Sequence, residues 1–168
     1  EEWDMDDIED DMDDGLYYSS KDEKEIKKMC KYTQMSGVKA KNVSSVSFGV
    51  RDDDDGYFVV YSITFKNKSE AEKVFDKTVK SMEKSYKASK EYYDKDQIGQ
   101  DDGDDFYAYG YVRNSGGGFH EIFMSDSKTV TYIDANFYEA DDVYDDYEAF
   151  YEAIGRDCPT DLVKDEIK

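Results

Sequence analysis

The stretch VSFGVRDDDDGYFVVYSITF, residues 46–65, decides the fold of this chain. Val46, Phe48 and Val50 alternate with small or polar residues, which is the period of a β-strand with one buried face. A second apolar run, residues 57–65, follows after four aspartates and a glycine. Asp-Gly between two such runs is a strong signal for a tight turn between antiparallel strands. The sequence therefore predicts a β-hairpin here.

Helical patterns precede, follow and separate the strands. Ser20 with Glu23, and Ser69 with Glu72, have the Ser-x-x-Glu form of a capping box, and each pair begins an amphipathic pattern. The predicted helices run from Ser20 to near Gly37, from Ser69 to about Tyr93, and from about Ala140 to Gly155.

Three further strands are predicted in the second half of the chain. They cover residues 106–113, 119–125 and 129–136, and an acidic loop, residues 94–105, precedes them. Short turns between successive strands favour a meander. We therefore expect an α+β fold with one core and a single antiparallel sheet of about five strands, a hairpin and then a three-stranded meander. The long helix lies between them, and helices at both ends pack on the sheet.

Charge is distributed unevenly along the chain. Residues 1–14 carry ten carboxylates and no Lys or Arg, which is half of the formal net charge of −20. Such a block repels itself and buries little apolar surface, so we predict an acidic disordered tether over 1–15 and a single α+β domain over 16–168. The acidic balance argues against nucleic acid as a partner. No apolar run is long enough for a membrane-spanning segment.

Two cysteines, Cys30 and Cys158, lie near the two ends of the predicted domain. In an oxidising compartment they could form a disulfide and close a long loop, which would stabilise the fold by about 4–5 kcal/mol. This placement favours a protein outside the cytoplasm. The alternative is two unrelated buried thiols in a cytosolic protein.

Tyrosines supply the candidate binding residues. Tyr107, Tyr109 and Tyr111 share one face of a predicted strand, and Tyr57 and Tyr61 share one face of an earlier strand. Ala108 and Gly110 on the opposite face would let a helix approach, which would leave the tyrosines open. An open aromatic face suits a protein or glycan ligand. The alternative is that these rings form a second layer of core.

Other polar features point to no specific chemistry. The aspartate runs at residues 52–55 and 101–105 do not have the register of an EF-hand, so no metal site is expected. His120 is the single histidine, and no nucleophile accompanies it in a recognisable motif. It is predicted to point to the strand face opposite Phe119 and Phe123. No catalytic residue and no cofactor is predicted.

These observations favour a non-enzymatic domain that is secreted or anchored to the cell surface, and that binds a protein or glycan through the tyrosine face. Two alternatives stay open at this level. One is a hydrolase that uses two converging carboxylates. The other is an acidic cytosolic inhibitor that mimics a polyanion.

Overall fold

The computed structural model describes residues 16–114, 116–138 and 140–166, and the predicted tether, residues 1–15, lies outside the described residues. The strands are β1 (Leu16–Ser20), β2 (Val43–Asp53), β3 (Gly56–Phe65), β4 (Ile98–Asp102), β5 (Phe106–Arg113), β6 (Gly116–Met124) and β7 (Thr129–Phe137). The helices are α1 (Glu23–Met29), α2 (Lys68–Ser89) and α3 (Ala140–Ala153), and two 3-10 segments cover Ala40–Asn42 and Pro159–Glu166.

The strands form one antiparallel sheet in the order β1-β2-β3-β7-β6-β5-β4. The α+β class is confirmed, but the prediction of about five strands is wrong, since the described residues contain seven. The two missed strands are the edges. β4 has the sequence IGQDD, in which only Ile98 is buried, because an edge strand with a solvated face needs few apolar residues.

The predicted hairpin is confirmed as β2 and β3, which pair from Val43 opposite Phe65 to Asp53 opposite Gly56. The Asp53 carboxylate accepts hydrogen bonds from the amides of Asp55 and Gly56, at 3.1 and 3.2 Å, and so closes the turn. Position 56 requires glycine, because a Cβ there would lie 2.3 Å from the carbonyl oxygen of Asn136 in β7.

Both predicted capping boxes are displaced in the structure. The N-cap of α1 is Asp22, whose carboxylate accepts from the amides of Lys24 and Glu25, and α1 ends at Met29. The N-cap of α2 is Asn67, whose side chain accepts from Glu70. Asn and Asp compete well with Ser at this position, so a Ser-Glu spacing alone places a helix start only to within a few residues.

Helices cover both faces of the sheet. We call the side that packs against α1 and α2 the α2 face, and the side that packs against α3 and the segment Pro159–Glu166 the α3 face. Each face has its own hydrophobic cluster, in place of the single core expected. Side chains with 0% exposure include Val59 and Ile122 on the α2 face and Phe119 and Ile133 on the α3 face. None of the helices in the described ranges is long and apolar enough to cross a membrane.

Candidate functional site

The predicted tyrosines lie together on the α2 face, but most of them are covered. Tyr107, Tyr109 and Tyr61 are only 2%, 6% and 9% exposed, and Tyr57 and Tyr111 are half-buried. The helix residue Tyr86 packs on Tyr109, with ring centroids 6.0 Å apart. The expected open aromatic face is therefore mostly a core layer, and only its Tyr57 and Tyr111 end reaches solvent.

The tyrosines of β5 are covered because other elements pack on both faces of this strand. The expected close approach at Ala108 and Gly110 does occur, since a Cβ at position 110 would lie 2.8 Å from the carbonyl oxygen of Pro159. The approaching element is the Pro159–Glu166 segment, while α2 covers the tyrosine side. The small residues Ala108 and Gly110 therefore allow the Pro159–Glu166 segment to pack on one face of β5, but the opposite face, which carries the tyrosines, is covered as well.

A polar group lies among these tyrosines on the α2 face. His120 and Asp134 are directly opposite each other in β6 and β7, and their side chains are 16% and 10% exposed. His120 Nδ1 lies 3.3 Å from Asp134 Oδ1 and 3.0 Å from the Tyr132 hydroxyl. The Tyr109 ring stacks on the imidazole at 4.9 Å. The predicted orientation of His120, away from Phe119 and Phe123, is confirmed.

The neighbours of His120 determine its tautomer. A ring nitrogen without a proton would place a lone pair against the carboxylate, so we assign the proton to Nδ1 and leave Nε2 as an acceptor. Burial lowers the pKa of His120, and the charge of Asp134 opposes that shift. The imidazole is therefore neutral at neutral pH, and Asp134 has no cationic partner among the described residues.

One exposed side chain caps this carboxylate. Gln34, in the loop after α1, donates from Nε2 to Asp134 Oδ2 at 2.6 Å. The loop is held on α2 by the buried Thr78, whose hydroxyl accepts from the Ser36 amide at 2.8 Å and donates to the Val74 carbonyl at 2.7 Å. Asp134 Oδ1 is buried and has no hydrogen bond of normal geometry.

The end of the face beyond Asp134 is the accessible part. Tyr111 donates from its hydroxyl to Asn136 Oδ1 at 3.0 Å, and its ring lies 5.4 Å from that of Tyr93. Burial raises the pKa of Tyr111 to about 12 and raises that of Tyr57 as well, and Asp134 adds to both shifts. These phenols stay neutral and can offer both a ring face and a hydroxyl. We call Tyr57, Tyr111, Asn136, Asp134 and Gln34 the tyrosine–aspartate site.

The α3 face buries a second ionisable group directly behind His120. Glu121 is 2% exposed, and Arg156 donates to its Oε1 from Nε at 2.9 Å and also from Nη2. The guanidinium lies 4.0 Å from the centroid of the Phe123 ring. Burial raises the pKa of Glu121, and Arg156 opposes the shift. A cavity of about 450 Å³ adjoins this pair. In this pair Glu121 is already bound by Arg156. A hydrolase with two converging carboxylates stays a prediction.

The cysteines correct another expectation. Both are free thiols: Cys30 packs with the α2-face cluster and Cys158 belongs to the α3-face cluster, so the sheet separates them. A disulfide requires Cα atoms within about 7 Å, which opposite layers do not provide. Burial raises the pKa of Cys158 to about 11. The disulfide prediction is wrong, and the main argument for an oxidising compartment is lost with it.

Sequence reasoning missed Asp134, Gln34 and Arg156 as site residues. The sequence does contain a signal for Asp134, because it is the one charged residue in the strand Thr129–Phe137. Gln34 and Arg156 lie in segments that carry no local pattern, and only the tertiary fold brings them to their partners. Within the described ranges, no group of three or more His, Cys, Asp or Glu side chains is placed to hold a metal ion.

Comparison of the chain with family models, curated proteins and solved structures finds no match.

Proposed function

We propose that this protein is a non-enzymatic binding domain that recognises a basic side chain of a protein ligand at the tyrosine–aspartate site. The observation that carries the proposal is Asp134, a carboxylate nine-tenths buried among tyrosines, with a neutral histidine beside it and no Lys or Arg paired with it in the described part of the chain. A buried carboxylate without a cation is costly, and a ligand cation would offset that cost.

The surrounding residues suit a cationic group. An ammonium or guanidinium group is attracted to the faces of tyrosine rings, and Tyr57 and Tyr111 are both half-buried at the accessible end. Asn136 and Gln34 are exposed and supply amide groups that can bind the ligand backbone. The net charge of −20 attracts basic partners and speeds their association.

Gln34 occupies the position that the ligand cation would take. Its amide donates to Asp134 Oδ2 from an exposed loop, so it can be displaced without breaking the core. A charged donor makes a stronger hydrogen bond to a carboxylate than a neutral amide does. Exchange of Gln34 for a ligand ammonium group is therefore favourable at this carboxylate.

The compartment of this protein is a separate prediction from its binding site. A secreted or surface-anchored location agrees with an acidic binding domain, but the free thiols at Cys30 and Cys158 withdraw its strongest support. Fractionation of the cells that make this protein, followed by detection of the chain in each fraction, tests that location.

Calorimetric titration with the peptide trilysine, at physiological ionic strength, tests the binding proposal. We expect Asp134→Asn to weaken binding about tenfold or more, because a hydrogen bond to a charged group is lost. The matched control is Asp145→Asn, which removes the same charge from an exposed position on α3. Equal weakening by both variants would mean that trilysine responds only to net charge, and would overturn the proposal.

A neutral sugar serves as the competing probe. If cellotriose binds and trilysine does not, the ligand is a glycan and the basic-ligand proposal is wrong. In that case Tyr111→Ala should abolish sugar binding while Asp134→Asn has a smaller effect, because sugars stack on aromatic rings.

A further inference from the structure

A pocket lies at the opposite end of the sheet from the tyrosine–aspartate site, and its charge is opposite to that of the chain; we call it the lysine pocket. It has a volume of about 570 Å³ and is formed where α1, the Ala40–Asn42 segment and the ends of β2 and β3 meet. Four lysines line it, namely Lys21, Lys27, Lys41 and Lys66. One carboxylate, Glu23, lines it with them.

The lysines are available to a ligand. All four are exposed, and none makes an ion pair or a side-chain hydrogen bond with another described residue. The floor between them is apolar, because Ile26 and Val43 are 2% and 3% exposed and Ala40 is half-buried. A concave surface with an apolar floor and a basic rim fits an anionic segment that also carries apolar side chains.

We propose that the acidic segment of this same chain, residues 1–14, binds in the lysine pocket. The segment has ten carboxylates and no Lys or Arg, and it also contains Trp3, Met5, Ile8 and Met12. Its composition therefore matches both the rim and the floor of the pocket.

The length of the segment allows this contact. It joins the fold at Leu16, and the five residues of β1 lead from there to Lys21, a distance of roughly 17 Å along a strand. Fourteen residues span at most roughly 46 Å when extended. The side of β1 that faces away from β2 has no strand partner among the described residues, so the path back to Lys21 is open.

Residues 1–14 are favoured over a separate acidic protein as the occupant of the pocket, because they are covalently attached to the domain. A chain with a net charge of −20 repels an acidic partner, whereas a segment on a short linker is held at an effective concentration in the millimolar range. Repulsion from the rest of the domain is screened beyond a Debye length of about 8 Å, while contacts with the lysines are closer than that.

The fluorescence of Trp3 tests the proposal in the full chain, because Trp3 is the only tryptophan. We expect acrylamide to quench Trp3 less in the folded protein than in the urea-unfolded protein. The double variant Lys21→Glu with Lys66→Glu should lose this protection. The control, Lys84→Glu with Lys87→Glu, makes the same charge change on the exposed side of α2 and should keep it.

Three outcomes would overturn the proposal. Trp3 could be quenched equally in the folded and unfolded chains, or both double variants could lose protection equally. The third outcome is protection that disappears on dilution together with a dimer detected by sedimentation, because the occupant would then be the segment of a second copy.

Discussion

His120 and Glu121 are consecutive residues of β6, yet they enter opposite layers of the protein and are accommodated differently. Glu121 on the α3 face is 2% exposed and forms an ion pair with Arg156. His120 on the α2 face is neutral, and the carboxylate beside it, Asp134, is met only by neutral groups. Each carboxylate keeps one buried oxygen without a hydrogen bond, but only Glu121 has a cationic partner among the described residues.

The largest change in stability is expected from breaking the ion pair between Glu121 and Arg156. Arg156→Ala should lower the free energy of unfolding by about 3–5 kcal/mol, because it leaves the Glu121 carboxylate buried without a partner. Urea denaturation measures this change. Arg51→Ala, at exposed ion pairs with Asp53 and Asp146, should cost only about 0–1 kcal/mol. If the two variants are equally stable, the Glu121–Arg156 pair is not the buried pair described above.

A double variant tests the same ion pair in a second way. Replacing both partners, Glu121→Leu with Arg156→Met, removes the buried charges together, so the double variant should be more stable than Arg156→Ala and about as stable as the unsubstituted protein. A double variant as unstable as Arg156→Ala would show that packing of the guanidinium on Phe123 dominates.

A smaller effect is expected at the loop that carries Gln34. Thr78→Val removes the hydroxyl that accepts from the half-buried Ser36 amide, and should cost about 1 kcal/mol of stability because that hydrogen bond is lost. Thr78→Ser keeps the hydroxyl and serves as the control. The same Thr78→Val variant should increase amide hydrogen exchange at Ser36. Unchanged exchange there would contradict the role of Thr78 in holding the loop.

The two faces should also differ in the sign of their pH dependence. His120 has a folded-state pKa below its ordinary value of 6.5, so the unfolded state binds more protons and stability falls as the pH drops below about 6.5. Glu121 has a folded-state pKa above its ordinary value of 4.5, so its contribution to stability falls as the pH rises from about 4.5.

Single variants separate these contributions. His120→Gln should remove the His120 contribution to the loss of stability below pH 6.5, and Glu121→Gln should remove the opposite contribution of Glu121 above pH 4.5. Thermal unfolding midpoints across this pH range measure both. Slopes of the same sign at the two residues would contradict the assignment of their pKa shifts.

The smallest effect is expected at the cysteines. Both thiols should react with iodoacetamide in the denatured chain without any reductant, because they are free. In the folded protein Cys30 should react before Cys158, which is 5% exposed and has a pKa raised to about 11. Intact mass spectrometry follows both reactions. Recovery of a disulfide-linked chain would contradict the layer separation of the two residues.

The sequence predicted those parts of the fold that have a local signal. The β2–β3 hairpin follows from Asp-Gly between alternating runs, and β5 was predicted with the bounds Phe106–Arg113. Two edge strands were not predicted. β1 was missed although it alternates, with Leu16 and Tyr18 inward. β4 was missed because pairing with β5 and contact with Leu162 hold it in place. Because backbone hydrogen bonds do not depend on side-chain hydrophobicity, a strand such as β4 cannot be predicted from a hydrophobic pattern.

The site was predicted only in part, because face alternation identifies which tyrosines lie together and does not identify what covers them. Tyr107, Tyr109 and Tyr111 do share a face, but the position of α2 on that face depends on packing between distant segments. The contacts to Asp134 join residues that are far apart in the chain, such as Gln34. No pattern in either segment predicts that contact.

The most direct test of the open carboxylate on the α2 face uses the ring protons of His120, the only histidine, in proton NMR titrations. We expect a His120 pKa below 6.5 in the free protein, and a further decrease when trilysine is bound, because a cation beside Asp134 disfavours the imidazolium form. Asp134→Asn should remove the response to trilysine. An identical His120 titration with and without saturating trilysine would contradict the binding of a cation beside Asp134.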